Sequence, residues 1–263
     1  MMVGWLERIQ RLFAWSSGPD PGSLSRAPDG LALYAIGDIH GELDLLRSLL
    51  SRIGEDLRGL APGTTPVVIF IGDYIDRGPD SRGVVDLLAS DPLPGVRCHF
   101  LRGNHEQAML DFLQDPIGTA DWLQFGGMAT LDSYGVRIGG FAPSALMAAR
   151  DDLISRLPGG HWDWLANLPL SATYGDYLFV HAGVRPGVPL DRQSPEDLMT
   201  IRAPFLEHRR SFGARVVHGH TITPTITVLS NRIGIDTGAY ATGVLSAIRL
   251  TGIDLLLFEV KRA

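Results

Sequence analysis

The chain has 263 residues, a single cysteine and a formal net charge of −6, with 45% hydrophobic and 20% charged residues. This is the balance of an ordinary globular protein. It excludes an intrachain disulfide framework, because Cys98 has no partner, and offers no run of Lys or Arg with which to grip nucleic acid. No stretch approaches the ~20 apolar residues of a membrane-crossing helix, and the expectation is a cytoplasmic protein with no nucleic-acid partner.

Trp5, Leu6, Ile9, Leu12 and Phe13 recur at helical spacing, with Glu7, Arg8, Gln10 and Arg11 between them. The spacing predicts a short amphipathic helix docked on its own domain or on a partner. Peripheral membrane contact through residues 1–16 is the alternative reading. Pro, Gly, Ser and Asp crowd residues 16–30, which read as a linker. Residues 1–30 therefore precede a folded domain over 31–263.

From Leu31 onward a pattern repeats. An apolar run ends in a Gly-containing polar cluster, and the first runs are followed by amphipathic segments. Leu31–Ile36 ends at Gly37-Asp38, Val67–Ile71 at Gly72-Asp73 and Val96–Leu101 at Arg102-Gly103-Asn104-His105. Later, Tyr177–Val180 ends at His181-Ala182-Gly183, and Arg215–Val217 at His218-Gly219-His220. The runs read as buried strands, while Leu43, Leu46, Leu50 and Ile53, and then Val84, Val85, Leu87 and Leu88, mark helices between them. Strand–helix alternation predicts an α/β fold whose reactive site lies at the C-terminal ends of the strands. Residues from about 115 to 171 break the rhythm and predict an inserted helical cap. From Ile226 onward, alternating runs predict an antiparallel closing sheet.

The clusters supply Asp38, His40, Asp73, Asn104, His181 and His220. These are oxygen and imidazole donors without a thiolate, a set that suits manganese, iron or zinc in a reactive site better than a structural zinc. Six donors exceed what one ion needs once water and substrate are counted. Two divalent ions sharing a carboxylate would use them, and such a pair can activate water and clamp a phosphoryl group. Taken singly, each cluster is more often a turn or a satisfied polar side chain. Five of them, each at a strand end, point to a shared site.

Gly37-Asp-Ile-His-Gly41, Gly72-Asp-Tyr-Ile-Asp-Arg-Gly78 and Arg102-Gly-Asn-His-Glu106 resemble the three signature blocks of PPP-type serine/threonine protein phosphatases, in their bacterial and phage branch. That family lies within the calcineurin-like metallophosphoesterases. His181-Ala-Gly183 and Gly219-His-Thr221 are similar to its two later histidine blocks. The resemblance implies a four-layer α/β/β/α sandwich. It implies that Asp38 and His40 bind one ion, that Asp73 bridges, and that Asn104, His181 and His220 complete the second. It implies that His105 is the general acid with Asp76 as its carboxylate partner, and that Arg77 and Arg202, together with Asn104, hold phosphate oxygens. Arg202 lies in a segment similar to one that usually carries Trp where Thr200 stands. His218 stays outside the metal set, Arg102 and Glu106 are read as holding their loop, and Trp122 as lining the substrate groove or packing in the core.

The activity so implied is hydrolysis of phosphoserine and phosphothreonine in proteins by a metal-activated water, with no phosphoenzyme. A symmetrical dinucleoside tetraphosphate hydrolase is the rival within the superfamily. Those enzymes typically lack an acid at the position of Asp76 and have Asp in place of Glu106. A metal-binding scaffold without activity is the rival from another class, and its sequence sign would be a missing ligand.

Overall fold

The computed structural model describes residues 25–262. The amphipathic segment expected over residues 1–16 lies outside the described residues. The last residues of the expected linker are docked on the domain: Ala27 is buried and its N–H donates to Gly252 O at 2.8 Å, while Arg26 N donates to Asp176 Oδ2 at 2.8 Å.

Ten strands form two five-stranded sheets. The first sheet contains β1 (Leu31–Ile36), β2 (Thr65–Phe70), β3 (Arg97–Phe100), β9 (Val244–Thr251) and β10 (Asp254–Lys261), in the order β10-β9-β1-β2-β3. The second contains β4 (Ser171–Tyr174), β5 (Tyr177–Val180), β6 (Arg215–His218), β7 (Thr227–Val228) and β8 (Arg232–Gly234), in the order β4-β5-β6-β8-β7. The helices are α1 (Leu43–Arg58), α2 (Ser81–Ala89), α3 (Asn104–Gln114), α4 (Gly127–Ser133), α5 (Pro143–Arg156), α6 (Gly159–Ala166), α7 (Pro195–Thr200), α8 (Ala203–Leu206) and α9 (Ala239–Thr242).

Strand alternation builds the layers. In β1, Ala32, Tyr34 and Ile36 pack with the helices, against Leu46, Leu49 and Ile53 of α1 and Val84 and Val85 of α2. The intervening Leu33 and Ala35 face the other way, into a core shared with Tyr177, Phe179, Val217 and Ile233 of the second sheet. In β5 the residues between, Leu178 and Val180, join Leu198, Ile201 and Phe205 on the far side. Opposite faces of each strand thus bury into different cores, as a period of two requires. The result is the expected four-layer α/β/β/α arrangement.

The stretch from 115 to 170 carries a 3₁₀ turn over Ala120–Phe125 followed by α4, α5 and α6, joined by short loops. Their apolar side chains, including Trp122, Leu131, Leu146 and Leu153, belong to the same core as α1 and α2. The tail differs from the single closing sheet expected. β9 and β10 extend the first sheet antiparallel to β1, whereas β7 and β8 complete the second, with β8 parallel to β6. Alternation fixes which face of a strand is buried but not which sheet receives it. Among the described residues, no helix is long and apolar enough to cross a membrane.

Candidate metal centre and its acid–base neighbour

β1, β2 and β3 run parallel, as do β5, β6 and β8. Neighbouring strands lie about 4.8 Å apart, so the loops leaving their C-terminal ends meet. Close approach there needs residues without side chains. A Cβ on Gly103 would stand 2.1 Å from Asp73 Oδ1, and one on Gly219 2.0 Å from Asp38 Oδ1. These two glycines let the carboxylates sit against neighbouring backbone.

Backbone strain collects at the same place. Six described residues other than glycine have positive φ, and five of them are His40 (47°), Asp73 (53°), Asp76 (73°), Arg77 (69°) and His220 (62°). Such conformations cost about 1–3 kcal/mol each and persist only where the surroundings enforce them.

Asp73 lies at the centre. His40 Nε2 is 3.5 Å, His181 Nε2 3.4 Å and His105 Nε2 3.9 Å from Asp73 Oδ2. His40, Asp73 and His105 bring one ligand atom each within 4.8 Å of one another, and Asp73, His181 and His220 do the same. Asn104 Oδ1 lies 3.0 Å from His181 Nε2. Asp38 is a member of neither group: its Oδ2 accepts from His220 N at 3.0 Å, and its buried Oδ1 has no hydrogen-bond partner among the described residues. The first group thus contains His105 in the place where the sequence reading put Asp38.

Divalent ions fit this arrangement. His40 Nδ1 donates to Ile75 O and His181 Nδ1 to Ile71 O, both at 2.9 Å. Each bond fixes the ring so that Nε2 faces the Asp73 carboxylate. A lone pair facing a carboxylate oxygen is unfavourable unless a cation or proton stands between them, and an outer hydrogen bond of this kind is the usual support of a metal-ligating histidine. The buried Nε2 of His220 and Oδ1 of Asp38 are two further ligand atoms without hydrogen-bond partners among the described residues. Burial pushes His40 and His220 down to about 3, leaving neutral imidazoles ready to ligate. Burial, with Asp236 and Asp73 nearby, lifts the Asp38 carboxyl well above its usual range, a penalty that a cation would remove. Burial opposes a charged His181, but the Asp73 carboxylate overrides it and raises His181 to about 10.

His105 is placed differently. Its Nδ1 lies 2.7 Å from Asp76 Oδ2, and both side chains are buried. Burial disfavours its charged form, but Asp73 and Asp76 more than offset this and raise its pKa. Two adjacent histidines are thereby driven apart, His40 toward the neutral form by burial and His105 toward the imidazolium by Asp73 and Asp76.

The two arginines lie on the rim. Arg77 is exposed; its Nη1 donates to His40 Nε2 at 3.1 Å, and its guanidinium carbon lies 4.8 Å from the centre of the Tyr240 ring. Exposed Arg202 precedes α8, and its Nη1 donates to Thr221 Oγ1 at 3.2 Å, beside His220. His218 packs edge-on against the Phe205 ring and belongs to neither donor group.

Glu106 does more than close its own loop. Its carboxylate accepts from Gly103 N at 2.9 Å, and also from Asp73 N at 2.9 Å and Tyr74 N at 2.8 Å, joining the second and third sequence blocks. Glu106→Ala would strand three buried N–H groups. At about 1–3 kcal/mol per unsatisfied group, we expect a loss of at least about 3 kcal/mol in urea unfolding. An unchanged unfolding midpoint would show that the loop does not depend on Glu106.

Sequence reading missed Thr130 altogether and left Trp122 undecided. Trp122 Nε1 donates to Asp76 Oδ2 at 2.8 Å, and Thr130 Oγ1 to Asp76 Oδ1 at 2.6 Å. Asp236 accepts from Gly238 N at 2.8 Å, and it is buried close enough to Asp38 to disfavour ionisation of the Asp38 carboxyl.

The profile of the family described as calcineurin-like phosphoesterase matches residues 31–241. A symmetrical bis(5'-nucleosyl)-tetraphosphatase of Janthinobacterium sp. (strain Marseille) is 26% identical over 88% of this chain and 96% of its own length. Serine/threonine-protein phosphatase 1 of Salmonella typhimurium is 36% identical, over 36% of this chain and 38% of its own length. Among solved structures, one provisionally named a diadenosine tetraphosphatase superposes with a TM-score of 0.61 at 21% identity, covering 92% of this chain and 97% of that one.

Proposed function

The chain belongs to the calcineurin-like phosphoesterases, and from that premise we propose that it is a PPP-type phosphatase releasing phosphate from phosphoserine and phosphothreonine in proteins. Asp38, His40, Asp73, Asn104, His181 and His220 would hold two divalent ions, manganese being the first expectation. When bound, such ions supply a nucleophile from water at neutral pH and offset phosphate charge.

The protein's own groups do the rest. Arg77 and Arg202 hold non-bridging phosphate oxygens through paired N–H donors. Asp73 stands between the two groups of histidines. His105, with Asp76 behind it, gives its Nε2 proton to the serine oxygen as the P–O bond breaks, and that oxygen keeps the bonding electron pair. No phosphoenzyme is expected, because the attacking group is water.

One observation carries the choice of substrate: the buried 2.7 Å contact of His105 with Asp76 beside the donor cluster. A serine alkoxide is a poor leaving group and gains most from a general acid. The leaving group of a nucleoside polyphosphate is itself a phosphate anion and needs less help. The second reading, a bis(5'-nucleosyl)-tetraphosphatase, is favoured by the relative from Janthinobacterium sp., which is matched over nearly its whole length. Turnover of a phosphoserine peptide and of diadenosine tetraphosphate by manganese-loaded protein separates the two. The proposal expects the larger kcat/KM on the peptide; a preference for the dinucleotide would overturn it in favour of the second reading.

A further inference from the structure

We infer that Trp122 and Thr130, both from the helical insertion, are positioning residues for proton transfer by His105. The inference rests on the acid role assigned above to His105 and Asp76.

Asp76 Oδ2 accepts two bonds, from His105 Nδ1 at 2.7 Å and from Trp122 Nε1 at 2.8 Å. Its Oδ1 accepts from Thr130 Oγ1 at 2.6 Å. The same hydroxyl oxygen accepts from Asp76 N at 2.9 Å, and so does Ser81 Oγ. Trp122 and Thr130 stand 46 and 54 residues along the chain from Asp76, so nothing local brings them there. Asp76, Ser81, His105, Trp122 and Thr130 are all buried. The insertion also holds the next residue, since Arg77 N donates to Gly126 O at 3.2 Å. Asp76 and Arg77 are consecutive residues at positive φ, a conformation that requires external support.

Packing alone does not account for these contacts. Valine matches the shape of threonine, and phenylalanine fills much of the volume of tryptophan, but neither donates a hydrogen bond. With its oxygens held by two donors and one, the carboxylate cannot rotate, and the imidazole it orients keeps Nε2 turned toward Asp73. A reacting group must be held this closely for proton transfer to contribute fully. If the hydroxyl or the indole N–H is lost, the carboxylate turns and the His105 proton is misdirected. The cost then falls on substrates whose leaving oxygen needs that proton. On p-nitrophenyl phosphate, whose phenolate leaves readily, it falls much less.

The readout is the ratio of kcat on a phosphoserine peptide to kcat on p-nitrophenyl phosphate, measured in saturating manganese for Thr130→Val, Thr130→Ser, Trp122→Phe and Asp76→Asn. We expect Thr130→Val and Trp122→Phe to lower the ratio about tenfold, a part of the roughly 10²–10⁴-fold that a general acid contributes. Thr130→Ser, which keeps the donor, should stay within about twofold of the parent. A purely structural role would lower turnover of both substrates in proportion and leave the ratio unmoved. Should that occur for Thr130→Val while Asp76→Asn lowers the ratio, the inference is wrong and the acid assignment stands. An unmoved ratio in Asp76→Asn would remove the acid assignment itself. The near-isosteric Thr130→Val and Thr130→Ser pair carries the test if Trp122→Phe fails to fold.

Discussion

Asp73→Asn should lower turnover of phosphoserine peptide and p-nitrophenyl phosphate alike, by about a thousandfold or more. Asp73 belongs to both groups of potential ligands, with its Oδ2 between 3.4 and 3.9 Å from His40, His105 and His181. Asparagine keeps the shape but removes the charge that two cations would share. Metal-ion catalysis contributes several kcal/mol, and each 1.36 kcal/mol is a factor of ten, which sets the size of the expected loss. Because the effect does not depend on the leaving group, both substrates suffer equally. Metal content after dialysis should fall in parallel with kcat. Activity within tenfold of the parent would remove Asp73 from the bridging position.

Asp76→Asn should behave otherwise. On phosphoserine peptide the loss should reach about 10²–10⁴-fold, the range for a general acid. On p-nitrophenyl phosphate it should stay within about tenfold, because the phenolate needs little protonation. The physical basis is the buried Asp76–His105 contact together with the raised pKa of His105, which favours the proton-carrying form. His105→Asn should share this selectivity on a larger background loss, since His105 also faces Asp73 at 3.9 Å. Steady-state kinetics on the two substrates are enough to decide, and equal losses on both would rule out selective assistance to the leaving group.

Much of this architecture is legible in the chain, for a physical reason. Buried parallel strands need continuous apolar runs, and a chain that turns sharply at their ends needs glycine there. Gly37, Gly72, Gly103, Gly183 and Gly219 therefore mark the strand ends, and the polar residues beside them are those that meet. Strand β4 escaped notice because Ser171–Tyr174 has no apolar run and is only half-buried. Residues 25–30 read as linker by composition, yet the burial of Ala27 depends on a contact with Gly252, on the distant turn between β9 and β10.

Within the site, what local pattern reveals is the donors, not what holds them. Asp73 and Glu106 lie in separate blocks, so the bond from Asp73 N to Glu106 cannot be read from either one. Trp122 and Thr130 fall in a helical stretch where both suit ordinary core packing. Their donors matter only because the fold carries them to Asp76. The stacking of Tyr240 beneath Arg77 is equally invisible, since the two residues come from opposite ends of the domain. Exposed Arg202 is legible only through resemblance, and its place beside Thr221 and His220 follows from the turn after β6.

The most direct test of the account is phosphate release from a phosphoserine peptide as manganese is titrated into stringently metal-free protein. Release should be negligible without metal, and activity should rise with added ion and saturate as two ions bind per chain. Full activity in the metal-free protein, with no response to added manganese, would contradict it.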